Sequence, residues 1–136
     1  MGENNIVPGQ VEFLDLEHPY LILVPKDENG LNLLYDGNIY TDKGEICDKF
    51  HSMKFDEKQF LLMEKYLFNF ICLECDVIIT MYEEEWVDGD KLKTIQKLTE
   101  YSLNTSDNEE FIELANKFLN LVKLAIELKT SLVFYF

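Results

Sequence analysis

The sequence predicts an α+β domain: an N-terminal antiparallel meander followed by three helices, with a strand between the first two helices and a C-terminal strand. Three observations carry this. Before about residue 55 short apolar runs alternate with turn signals, and after it apolar residues recur at helical spacing. The last five residues, Leu132–Phe136, form an uncharged run of β-type composition. A length of 136 residues with no repeat, linker or low-complexity tract places residues 1–136 in a single domain.

The first elements read as strands. Val11–Leu16 alternates with a period of two, and His18-Pro19 then interrupts pairing. Tyr20–Val24 is a continuous apolar run, the pattern of a buried strand. Pro25-Lys26-Asp27-Glu28-Asn29-Gly30 supplies a turn, after which Leu31–Tyr35 returns. Asp36-Gly37 is a hairpin signal, because type I′ turns require positive φ. Ile39–Thr41 and Glu45–Cys47 flank a second turn at Asp42-Lys43-Gly44, completing the meander.

The helices follow from caps and spacing. Asp56 with Gln59 three residues on is a capping box, and Phe60, Leu61, Glu64, Leu67, Phe68 and Ile71 predict a helix from 57 to about 73. Val77-Ile78-Ile79-Thr80 is β-branched throughout and predicts a strand running toward Tyr82 or Trp86. Asp88-Gly89-Asp90 reads as a turn and cap, and Leu92, Ile95 and Leu98, extended by Tyr101, line the inner face of the next helix. After a loop at Asn104-Thr105-Ser106, Ser106 with Glu109 repeats the capping-box pattern. The helix that follows is apolar around much of its circumference and reads as the central one. A terminal strand as apolar as Leu132–Phe136 belongs inside a sheet, since exposed it would invite aggregation.

Charge narrows the function. Twenty-six acidic residues face twelve basic ones, all lysine, for a net charge of −14. Disordered acidic tails lack aromatics, whereas ten Phe and seven Tyr here specify a folded core. A field this negative repels nucleic acid and anionic membranes and attracts basic proteins. Met1–Asn5 has neither the basic nor the apolar region of a signal peptide, and apolar stretches fall short of a membrane span. The expectation is a cytoplasmic protein, consistent with an odd number of cysteines, three.

Chemistry is sparse. Cys47 and His51 (C-x3-H) with Cys72 and Cys75 (C-x2-C) have zinc-ligand spacing, but no Gly or Pro shapes a knuckle turn, and core thiols are the plainer reading. A Cys-x-x-Cys redox pair should open a helix, and this one ends a helix. Cys47 and His51 drawn as nucleophile and base would need a helical turn where the pattern is extended. His18 reads as a loop residue. Glycine-rich phosphate loops and calcium loops are absent. The expectation is a non-enzyme with no cofactor.

The strongest local feature is Tyr82-Glu83-Glu84-Glu85-Trp86-Val87-Asp88-Gly89-Asp90. In a strand, Tyr82, Glu84 and Trp86 share one face, with Glu83 and Glu85 on the other. Aromatic residues anchor interfaces and carboxylates steer basic partners toward them. The candidate partner-binding residues are Tyr82, Glu83, Glu84, Glu85, Trp86, Asp88 and Asp90, with Asp27 and Glu28 as a second acidic turn. A solvated strand end with Trp86 folded onto the core is the plainer alternative.

In size, charge, short meander with following helices, and the Cys75–Trp86 stretch leading into a helix, the chain resembles bacterial immunity proteins encoded beside contact-dependent or polymorphic toxins. The resemblance lies in architecture and charge, not in a motif. It implies a one-to-one complex that neutralises a cognate basic toxin domain, of nuclease type, without turnover. Two other classes fit the same charge and spacings: a phage-type nucleic-acid mimic that blocks a defence protein, and a small zinc-stabilised adaptor built on Cys47, His51, Cys72 and Cys75.

Overall fold

A computed structural model describes residues 20–80 and 84–136. The expected strand at Val11–Leu16, the His18-Pro19 corner, Tyr82 and Glu83 lie outside the described residues.

The α+β architecture is present. Strand β1 (Tyr20–Pro25) leads to helix α1 (Glu28–Tyr35) and strand β2 (Phe50–Phe55). Helix α2 (Glu57–Met63), a π-helical turn (Glu64–Phe68) and helix α3 (Asn69–Cys75) form one continuous helical stretch. Strand β3 (Glu84–Val87), helices α4 (Asp90–Thr105) and α5 (Glu109–Leu128), and strand β4 (Leu132–Tyr135) complete the chain. The strands form one antiparallel sheet in the order β2-β1-β4-β3. The two uninterrupted apolar strands, β1 and β4, take the centre, where both faces are covered. The strands carrying polar residues take the edges.

The sheet separates two cores. On one face Tyr20, Ile22, Val24, Phe134 and Phe136 meet α2, α3, α4 and α5. On the other, Leu21, Leu23 and Val133 meet Leu34 of α1, Ile39 of the loop after it and Phe50 of β2. The larger core is aromatic: Tyr20 stacks on Phe60 at 4.5 Å between centroids, and Phe68 meets Phe118, Phe134 and Phe55. Rings of this kind add about 0.5–1.5 kcal/mol per pair beyond their area burial.

The N-terminal meander is corrected in two places. Leu31–Tyr35 is helical, because Asp27 caps α1 by accepting the Gly30 N–H at 3.0 Å. Gly30 makes no turn. A Cβ there would stand 2.7 Å from the Lys49 carbonyl oxygen, so glycine lets α1 lie close to the segment entering β2. Asp36-Gly37 is likewise not a hairpin. Gly37 (φ +77) donates to the Leu34 carbonyl and Asn38 to the Leu33 carbonyl, the paired bonds of a Schellman cap on α1. The antiparallel partner of β1 is β2, a strand not anticipated from the sequence. The turn at Asp42-Lys43-Gly44 stands, closed by a single bridge between Tyr40 and Ile46.

Farther along, the Asp56–Gln59 capping box forms reciprocally, at 2.8 and 3.0 Å. The helix it opens runs to Cys75, where Asp76 adopts φ 56. Val77 and Ile79 are buried and Ile78 and Thr80 exposed, but residues 77–80 are not in a strand; the described strand here is β3, Glu84–Val87. Gly89 stands at the N-cap of α4 without a side-chain cap, so Asp88 and Asp90 do not cap that helix. Helix α5 is capped by Asn108, whose Oδ1 accepts the Phe111 N–H at 3.0 Å. Ser106 accepts the Asn108 N–H instead of forming the expected box with Glu109.

Candidate interaction surface

Strand β3 alternates as the pleat requires. Trp86 packs on the α1 side of the sheet, with Glu84 in the same phase, while Val87 enters the larger core. β3 hydrogen-bonds to β4 on one side and, among the described strands, is a terminal one. The Schellman cap of α1 turns the chain just after Tyr35, and Tyr35 stacks on Trp86 with centroids 5.0 Å apart and planes 20° apart. The Trp86 indole N–H donates to the Glu84 carboxylate. Tyr35 remains 72% exposed and Trp86 half-buried, so the pair is a surface feature.

Two more rings extend it. Tyr135 stands opposite Glu84 across the β3–β4 ladder and packs on the smaller core. Tyr40 lies close enough to Tyr135 to feel its charge: burial first, and then Tyr135, raise the Tyr40 phenol above its ordinary value of 10.0. Tyr35, Tyr40, Trp86 and Tyr135 thus share one side of the sheet, with Glu84 among them.

The predicted residues are only partly gathered. Glu84 and Trp86 form the centre, whereas Glu85, paired with Phe134, falls in the opposite phase of the strand. Asp88 and Asp90 are exposed in the connection to α4 and its first turn. Asp27 and Glu28 stand at the far end of α1, roughly 12 Å along the axis from Tyr35, and Asp27 is engaged in its cap. Sequence reasoning missed Tyr35, Tyr40 and Tyr135. Only Tyr35 had a local signal, the Asp-Gly that follows it, and that signal admits both a hairpin and a helix cap.

The four-residue zinc set is not assembled. Cys47 packs on the α1 side of the sheet and Cys72 and Cys75 on the helical side. His51 pairs with Val24, whose side chain belongs to the helical side, so Cys47 and His51 are divided as well. Among the described residues no three His, Cys, Asp or Glu side chains are placed to hold a metal ion. Cys72 Sγ accepts the Ile79 N–H at 3.4 Å. Cys75 is buried, and burial is the main cause raising its thiol above the usual 9.0. Both act as packing residues of the helix end.

The helical layer carries a separate recess of about 360 Å³, between the π-helical turn with α3 and the C-terminal half of α4. Tyr66, Phe70, Leu98 and Tyr101 line it together with Phe111 of α5.

Comparison with protein-family models, curated proteins and solved structures gives no match.

Among the described residues the buried polar side chains are Thr99, Thr130 and Ser131, so the charge lies outside the core. No helix among them is long and apolar enough to cross a membrane. The surface therefore offers carboxylates beside stacked aromatic rings.

Proposed function

We propose that this chain is a non-catalytic acidic binding protein that acts by covering a basic surface of another protein, as an immunity protein neutralising a cognate toxin domain of nuclease type. The observation that carries this reading is the Tyr35–Trp86 stack at the sheet edge, with Glu84 hydrogen-bonded to the indole. Stacking orders both rings before any partner arrives, which lowers the entropy lost on binding. The net charge of −14 accelerates encounter with a cationic cleft, and the nearby carboxylates supply the negative charge such a cleft is built to pair. Binding without turnover is the part of this reading that rests on the sequence, which carries no catalytic motif.

The test is co-expression with the product of the adjoining gene. That product should arrest growth alone and be tolerated with this chain, and the purified pair should form a one-to-one complex. Trp86→Ala should weaken the complex roughly 30-fold, in the range of an interface anchor. Reversing Glu83, Glu84 and Glu85 to lysine should slow association, and the effect should shrink in high salt. Unchanged affinity and rate in both variants would remove this edge from the interface.

A further inference from the structure

The recess in the helical layer lies across the sheet from Trp86 and is built differently. One wall is the π-helical turn and α3, the other the last turns of α4, and buried Phe111 packs against Tyr66 at 5.2 Å between centroids. A π-helical turn widens the helix and releases backbone groups, and such turns recur at functional sites. Here Ser102 Oγ donates to the Tyr66 carbonyl at 3.3 Å, fastening α4 to the turn and fixing the width of the recess.

Its lining is aromatic and its charge has one sign. Phe70 is 51% and Tyr101 68% exposed, and neighbouring Leu73 is 80% exposed, so apolar surface continues onto the outer face of α3. Among the described residues the charged members of the lining are Glu74 and Asp107, and no lysine lines it. Lys65 already lies 5.2 Å from the Tyr66 ring centroid, so a cation is accommodated on one of these rings.

We infer that this recess docks an arginine-bearing amphipathic segment of a partner protein. A guanidinium stacks on tyrosine and phenylalanine faces and pairs with carboxylates in the same plane, while flanking leucines cover Phe70 and Leu73. A neutral apolar ligand would desolvate Glu74 and Asp107 without pairing them, and an anionic ligand would be repelled. A volume of about 360 Å³ accepts one or two large side chains and leaves the rest of the segment on the surface. The inference shares with the proposed function only the cationic character of the partner. The two sites are on opposite sides of the sheet and are separable by mutation.

The test uses a blocked peptide of about 14 residues with leucine and arginine at helical spacing, and a second peptide with glutamate in place of arginine. Calorimetry should detect binding of the first and none of the second, with amide shift changes at Tyr66–Glu74 and Leu98–Phe111. Glu74→Lys with Asp107→Lys should weaken binding about tenfold or more, and Tyr101→Ala by a similar factor. Two control variants should stay within roughly twofold: the remote pair Glu45→Lys with Glu127→Lys, which makes the same change in net charge, and Trp86→Ala. Equal weakening by the remote pair would show attraction to overall charge and overturn the recess, as would shifts confined to the Trp86 side. No binding of the arginine peptide, alongside a Trp86-dependent toxin complex, would overturn the recess and leave the proposed function standing.

Discussion

Thr130 is the described residue least reconciled with its surroundings. Its hydroxyl is buried where α5 meets β4 and has no hydrogen-bond partner, whereas the buried Thr99 hydroxyl donates to the Ile95 carbonyl at 2.7 Å. Thr130→Val keeps the shape and removes the orphaned group, so it should raise unfolding free energy by about 1 kcal/mol in urea titration. Thr99→Val should lower it. Cys75 and Tyr40 each contribute to a loss of stability at alkaline pH. Each holds its proton to higher pH when folded than when unfolded. The folded state therefore binds more protons between the two values, and these contributions are present below the unfolded pKa and lost as pH rises through the folded one. Stability should fall as pH climbs above about 9, and Cys75→Ala should flatten the first part of that fall. In the native protein a thiol reagent should modify half-buried Cys47 and Cys72 before Cys75.

At the level of elements, α1 shows how one glycine serves two geometries. Asn29-Gly30 has the composition of a turn, and the chain uses it as the first turn of a helix pressed against Lys49. Alanine would favour the helix by about 1 kcal/mol but bring its Cβ against a backbone oxygen that has little room to move. Gly30→Ala should therefore lower the midpoint of urea unfolding and loosen the Tyr35–Trp86 stack, read as a change in Trp86 fluorescence. A more stable variant would show that α1 does not sit so close to Lys49. Helix α2 is the contrary case. Its Asp56–Gln59 box needs only neighbours in sequence, and it was legible for that reason. The π-helical turn at Glu64–Phe68 had no such signal, since it arises where Tyr66 and Phe68 must satisfy partners on α4, α5 and β4 at once.

For the whole molecule, the net charge of −14 is carried by a surface around a core free of ionised groups among the described residues. Self-repulsion on that surface opposes compaction and is screened by salt. Raising sodium chloride from about 10 mM to about 0.5 M should raise Tm by several degrees, because the screening length shrinks from about 30 Å toward 4 Å. A flat response would mean that lysines already neutralise the carboxylates locally. The same field favours cationic partners at both proposed surfaces although they differ in build. One is a stack at a sheet edge and the other a cleft between helices.

The elements legible from residue order were those whose causes lie within a helical turn or a strand's length. These include the Asp56 cap, the apolar periodicity of α5, and the uninterrupted apolar runs that place β1 and β4 inside a sheet. Composition likewise established an acidic surface over an aromatic core. Contact between distant segments decided the remainder. Phe50–Phe55 becomes a strand because β1 offers it an antiparallel partner, and α1 needs glycine at position 30 because the Lys49 carbonyl lies beside it. Glu84 and Trp86 are parted from Glu85 by the pleat and joined by Tyr35, which is some fifty residues away in the chain and 5.0 Å away in the fold. Caps and periodicity are local free energies, written where they act. A site depends on which faces are turned together, and packing alone sets that.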